Sequence, residues 1–278
     1  MGPLPSMGQS RMPVRARKIL LWTFVALAAF YLAALAAAFL GQRAMLYPAP
    51  RLATPFRPDG FEQAVLQTSD GLRLKAIHRP ARGNLPTLIF FHGNGDNLQG
   101  ALAATGRLGE AGYGLLLPEY RGYAGNPGSP SEEGLYRDGE AALHWLAGRN
   151  IPAGRIFLIG NSLGSGVATE LATRHDVAGL VLISGFASMA EVAARHIRIF
   201  PVRLLLLDRY ENAAKLPRVA APVLLLHGAA DTLIPAGQSE ELARASRQAR
   251  LVILPDAGHE LAYLPQSQAL IADWLQDL

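Results

Sequence analysis

The sequence predicts an α/β chain: a mostly parallel, doubly wound sheet with a short helical lid, preceded by one N-terminal transmembrane helix. Three observations predict it. An uncharged apolar run of helix length stands near the start. From about residue 61 onward, short apolar runs alternate with helical stretches, the pattern of a parallel sheet covered on both faces. The composition, 50% hydrophobic and only 17% charged, is more apolar than a soluble domain needs. At 278 residues there is room for one such domain and an appendage.

The N-terminal element comes first. Residues 1–18 are basic, with Arg11, Arg15, Arg17 and Lys18, and no acidic residue precedes Asp59. Residues 19–40 carry no charge and little polarity beyond Thr23 and Tyr31. As a helix they span about 33 Å, enough for a hydrocarbon core of about 30 Å. Basic residues on the N-terminal side place that end in the cytoplasm and the remainder across the membrane, in a periplasmic or extracellular setting. A cleavable signal peptide is the competing reading, served by Ala34, Ala36 and Ala38. The apolar run exceeds the usual 7–15 residues of such peptides, which favours a retained anchor. Residues 41–60, with Pro48, Pro50, Pro55 and Pro58, read as a stiff linker.

The domain spans 61–278. Two alternating segments, 62–68 and 72–79, meet at Asp70-Gly71 as an edge hairpin. Continuous apolar runs predict buried strands at Thr87–Phe91, Gly114–Leu117, Arg155–Ile159, Leu180–Ser184, Pro222–Leu226 and Leu251–Leu254. Helical stretches fall near 97–111, 132–148, 163–174, 236–247 and 265–277. Residues 186–216, with Phe200, Pro201 and Leu204–Leu207, are too long for a plain crossover and read as an inserted helical lid.

The chemistry gathers at the ends of these strands. Gly160-Asn161-Ser162-Leu163-Gly164 joins an apolar strand to a helix start. That Gly-x-Ser-x-Gly turn lifts a serine above the sheet, and its glycines remove side chains that would clash. A serine hydroxyl needs a base, and His259, in the loop after the last strand, is placed to serve. His78, His144, His175 and His196 have blander structural explanations. The base needs a carboxylate to fix its tautomer. Asp231, after the penultimate strand, completes the chain order Ser, Asp, His; Asp256, three residues before His259, is the rival and reads as a turn former. Opposite the serine, His92-Gly93-Asn94-Gly95 ends a strand and opens a helix. The backbone N–H of Asn94 can therefore pair with that of Leu163 as an oxyanion hole.

Other classes are disfavoured. The absence of cysteine excludes disulfides, thiolate nucleophiles and Cys-type zinc sites. The net charge of +4 is concentrated before Pro50, and no basic face or aromatic stripe follows, so nucleic acid is not an expected partner.

With these motifs in view, the chain resembles the α/β-hydrolase superfamily, and more narrowly its serine-aminopeptidase-like and Bem46-like branch. The likeness covers all but the first fifty residues. It rests on His92-Gly93-Asn94-Gly95, Glu119-Tyr120-Arg121-Gly122-Tyr123 with Pro130-Ser131-Glu132-Glu133-Gly134, Gly160-Asn161-Ser162-Leu163-Gly164, His227-Gly228 with Asp231, and Gly258-His259. The resemblance implies a metal-free, cofactor-free serine hydrolase acting on a small or lipid-like acyl substrate. Carboxylic ester cleavage through an acyl-enzyme is the expectation. Aminopeptidase, amidase or thioesterase activity on the same triad stays open, as does a non-catalytic binding module.

Overall fold

The computed structural model describes residues 13–50 and 56–278. Arg11, and Pro55 of the expected linker, lie outside the described residues. The chain divides into two units, residues 1–42 and 43–278.

The first unit holds most of helix α1 (Val14–Leu46), none of whose residues is buried. Trp22, Phe24 and Phe30 are each more than two-thirds exposed. By length and composition α1 is able to cross a membrane. It also runs past Leu40 into the span expected as linker, and the next residue, Tyr47, is buried within the second unit.

The second unit is built on eight strands in the order β1-β2-β4-β3-β5-β6-β7-β8. They are β1 (Glu62–Gln67), β2 (Arg73–Arg79), β3 (Thr87–Phe91), β4 (Gly114–Pro118), β5 (Ile156–Asn161), β6 (Gly179–Ile183), β7 (Val223–Gly228) and β8 (Ala249–Leu254). The hairpin of β1 and β2 is antiparallel; the edge strand β1 buries alternate residues, Ala64 and Leu66, whereas β2, covered by β4 on its other side, buries Ala76, Ile77 and His78 in succession. Gly71 at its tip has φ +87°, a conformation glycine adopts without strain. From β4 to β8 all pairings are parallel. Strands β3 to β7 are buried along their whole length, which is why they read as continuous apolar runs rather than alternating ones.

Alternate side chains of these strands feed two cores. On one face Ile89, Phe91, Leu158, Leu180, Leu182 and Leu225 form a cluster with α3 (Glu132–Ala147), α4 (Leu163–Arg174) and Phe186, Met189, Val192 and Tyr210 of residues 186–216. On the other, Leu88, Phe90, Phe157, Ile159, Val181 and Leu224 pack with α2 (Leu98–Glu110) and the C-terminal helix. The segment expected as a lid holds α5 (Met189–His196), α6 (Val202–Leu205) and α7 (Asn212–Lys215); α8 (Gly237–Ala245) and α9 (Pro265–Gln276) follow. Helix starts follow local rules: Asn97 accepts from Gln99 and Gly100 N–H, and Ser131 from Gly134 N–H.

Strand order sets the site. The chain passes from β3 outward to β4, then returns to the other side of β3 with β5. Adjacent parallel strands whose connections leave in opposite directions open a crevice at their carboxyl ends. Residues 92–97 follow β3 there, and Ser162 follows β5.

Candidate active site

Ser162 stands between β5 and α4 with φ +50° and ψ −114°, a conformation L-residues rarely hold. Close packing forces it. A Cβ on Gly160 would lie 2.4 Å from Gly164 O, and one on Gly164 would lie 2.0 Å from Phe91 O. Both contacts are with backbone, so both positions exclude any side chain, and the helix starts tight against β3. Ser162 N–H donates to Ile183 O at 2.9 Å, tying the turn to β6.

The three sequence-predicted side chains come together. Ser162 Oγ is 3.0 Å from His259 Nε2, and His259 Nδ1 is 2.8 Å from Asp231 Oδ2. Asp231 is buried, and its Oδ1 accepts from Leu233 N–H at 2.9 Å and Ile234 N–H at 2.8 Å. Burial opposes its ionisation. The nearby His227 Nε2 and the hydrogen bonds from His259 and the Ile234 amide outweigh that, holding the carboxyl well below the usual carboxylate range. A carboxylate only accepts, so His259 Nδ1–H donates to it, and Nε2 is left to accept from Ser162 Oγ–H. Asp256 is exposed, and the bond to His259 Nδ1 goes to Asp231 instead.

The loop after β3 lies directly over this turn. A Cβ on Gly93 would come within 3.2 Å of Asn161 Nδ2 and 3.6 Å of Ser162 Cβ. Helix α4 begins at Leu163, so its first amides lack intrahelical acceptors. Asn94 is fixed through its side chain: Tyr123 Oη–H donates to Oδ1 at 2.7 Å, and Nδ2–H donates to Leu46 O at 2.5 Å.

Sequence reasoning missed several polar partners. His92 is fully buried, with Nε2–H donating to Glu119 Oε1 at 3.0 Å and Nδ1–H to Gly93 O at 2.9 Å. Burial lowers its pKa, but the Glu119 carboxylate and the Gly93 carbonyl raise it on balance. Glu119 Oε2 also accepts from Leu98 N–H at the start of α2. His227 Nε2–H donates to Ile234 O at 2.8 Å and lies 3.4 Å from Asp231 Oδ2, while Nδ1 meets Ser239 Oγ at 2.6 Å. A signal was present: both histidines close an apolar strand and precede a glycine, so each ring had to find partners in the interior. The other four are peripheral. His78 bonds Glu62, His175 bonds Glu140, His196 bonds Leu233 O, and His144 lies exposed on α3.

A family model described as the Alpha/beta hydrolase family matches residues 88–215, and one described as TAP-like protein matches 208–277. An uncharacterized protein of Mycobacterium tuberculosis (strain H37Rv) is 41% identical over 228 residues, covering 78% of this chain and 80% of its own. Uncharacterized protein YfhR of Escherichia coli (strain K12) is 31% identical over 225 residues, covering 77% and 78%. Among solved structures, the Pyrococcus furiosus esterase Pf2001 superposes with a TM-score of 0.66 over 82% of this chain and 95% of its own, at 19% identity, a likeness of fold. The fold, the family matches and the relatives agree, and the chain belongs to the alpha/beta hydrolase family.

Proposed function

We propose that this chain is a membrane-anchored serine esterase that cleaves carboxylic esters through an acyl-enzyme. The observation that carries the reading is the continuous contact from Ser162 Oγ through both His259 ring nitrogens to Asp231. Ser162 Oγ attacks the acyl carbon as its proton passes to His259 Nε2, and Asp231 stabilises the imidazolium. The N–H groups of Asn94 and Leu163 receive the oxyanion. Collapse expels the alcohol, which takes the proton from His259. Water then attacks the acyl-enzyme with His259 again as base, releasing the carboxylic acid and restoring Ser162.

The preferred substrates in this reading are uncharged esters of short to medium acyl chain. Support comes from the apolar part of a cavity of about 630 Å³ between the lid and the segment after Asp231, whose wall includes Val192, Phe200, Val202 and Pro235; Glu191, Arg195, Arg198 and Arg203 line it as well, and Ser162 and His259 are not in its wall. That volume suits a small ligand. Of the apolar lid residues, Leu204 and Leu207 are 83% and 54% exposed. The apolar part of the wall comes from Val192, Ile197, Phe200–Val202 and Pro235, with the largely exposed Leu204 beside them. Residues 19–40 serve as the anchor, leaving the domain of 61–278 outside the cytoplasm.

The test is covalent labelling with a fluorophosphonate, followed by kcat/KM across acyl esters of increasing length beside aminoacyl amides. Labelling at Ser162, and a rise then fall of kcat/KM with chain length, are expected. Each methylene that fits contributes up to about 0.8 kcal/mol. Faster cleavage of aminoacyl amides would reassign the chain to peptidases, and no labelling would leave a binding module.

A further inference from the structure

We propose that residues 43–50 are a strap that positions the oxyanion loop and the lid, with Tyr47 as its positioning residue. The inference deepens the esterase reading and rests on it for its catalytic consequence.

The strap follows directly on the apolar run of α1, yet it is fastened like part of the interior. Tyr47 is only 5% exposed, and its Oη–H donates to Asp208 Oδ2 at 3.1 Å, while Tyr210 Oη–H reaches Tyr47 Oη at 2.8 Å. Burial holds both phenols protonated, so each keeps a proton to donate. Asp208 is itself buried, and Arg43 grips it as a fork, Nε to Oδ2 at 3.0 Å and Nη2 to Oδ1 at 3.1 Å. A buried carboxylate needs such partners, and the strap supplies both kinds.

Two routes lead from this clasp to the groups proposed to bind the oxyanion. The first is direct. Leu46 O accepts from Asn94 Nδ2–H, so the strap and Tyr123 hold the Asn94 side chain from opposite sides. Further along, Pro50 O accepts from Ala124 N–H at 2.6 Å, joining the strap to the loop that carries Tyr123. The second route runs through the lid. Tyr210 is fully buried at φ +45°, and its ring fills the space above Gly166, where a Cβ would lie 2.3 Å from Tyr210 Cδ1. Gly166 lies on the first turn of α4, the turn that begins with Leu163. Moving Tyr47 therefore disturbs both amides, one through Asn94 and the other through Tyr210.

The experiment uses the full-length purified chain and a short, soluble acyl ester. Tyr47→Phe keeps the ring and removes the hydroxyl. It is expected to lower kcat about ten-fold with KM little changed, since a displaced oxyanion donor costs less than a lost one, which is worth about 10²–10³. Tyr210→Phe breaks the same bond from the lid side and keeps the test alive if Tyr47→Phe folds poorly. The double variant should lose far less than the product of the two single losses. Met45→Ala, on the exposed side of the same segment, should match wild type.

Hydrogen exchange of residues 92–97 is the readout that does not need turnover. Faster exchange there in Tyr47→Phe, with β5 and β6 unchanged, is expected. Wild-type kcat together with wild-type exchange in folded Tyr47→Phe and Tyr210→Phe would overturn the strap. An inert wild type would instead count against the esterase reading, and the exchange result would still judge the strap.

Discussion

Replacing Gly164 with alanine should cripple catalysis while leaving the fold recognisable. The new Cβ would stand 2.0 Å from Phe91 O, 2.6 Å from Phe91 C and 2.9 Å from His92 O. Ordinary carbon-to-oxygen contact is about 3.3 Å, so α4 and β3 must separate by roughly 1.3 Å. Neither can yield by a rotamer change, since every contact is backbone, and both carry groups of the site. A displacement of about 1 Å at a reacting centre can cost about 10²-fold. We therefore expect kcat to fall about 10²-fold or more, with stability lowered by about 1–3 kcal/mol from overpacking. Gly106→Ala is the matched control. Gly106 lies inside α2, and a Cβ there would meet nothing within 4 Å, so alanine should add about 0.5–1 kcal/mol. Esterase kinetics and calorimetric Tm of the two variants decide the matter. Wild-type turnover in Gly164→Ala would refute the claim that this contact sets the serine's position.

Three further outcomes follow from the geometry. Asp231→Asn should reduce kcat about 10⁴-fold by analogy with other triads, and Asp256→Asn far less, as measured on folded protein; equal losses would leave the acid unassigned. Asp70 is held below the usual carboxylate range by the Arg121 and Thr68 hydrogen bonds, and Asp231 likewise by its own partners. Their contribution to stability is present above the unfolded value of about 3.9 and lost as pH falls below it. Asp138 runs the other way, since burial beats the Arg121 bonds and pushes it up to about 6. Its contribution is full below about 3.9 and lost as pH rises through about 6, so Asp138→Asn should give Tm a steeper rise between about pH 4 and 6 than wild type. An unchanged slope would count against the buried carboxyl. Mass spectrometry of the native protein should find residues 19–40 attached; a mature N-terminus just after Ala38 would show them to be a signal peptide.

Much of this molecule was legible from periodicity. The strands at 87–91, 114–118 and 156–161 announce themselves as unbroken apolar runs because both sheet faces are covered. The juxtaposition of Ser162, Asp231 and His259 was legible too, because each lies in the segment after the carboxyl end of a strand of the parallel sheet. Side-chain bonds between distant segments were not. Nothing local marks Tyr47 as partner to Tyr210, 163 residues away, and prolines nearby made its segment read as linker. Asp70 and Arg121 are also 51 residues apart. Such pairs are chosen by which loops the topology brings side by side, a property no single window of sequence contains.

The strained residues point the same way. Among the described residues, five that are not glycine have positive φ: Ala124, Asn150, Ser162, Ser184 and Tyr210. Asn150 has a plain local explanation, ending the turn after α3 as asparagine often does. The other four are held by contacts between distant segments. Ser162 and Ser184 end neighbouring strands, and each N–H bonds one strand further along the sheet, to Ile183 O and Leu226 O. Ala124 receives the strap, and Tyr210 leans on the helix that follows Ser162. Each such conformation costs on the order of 1–3 kcal/mol and persists only where surrounding contacts over-determine it. Here those contacts can be named: the backbone against Gly160 and Gly164, the strap bond to Ala124, and the Tyr47 hydroxyl. Apart from Asn150, the strain sits in Ser162 and in segments tied to its turn or to the helix after it, which is where a preorganised site of the kind proposed would hold it.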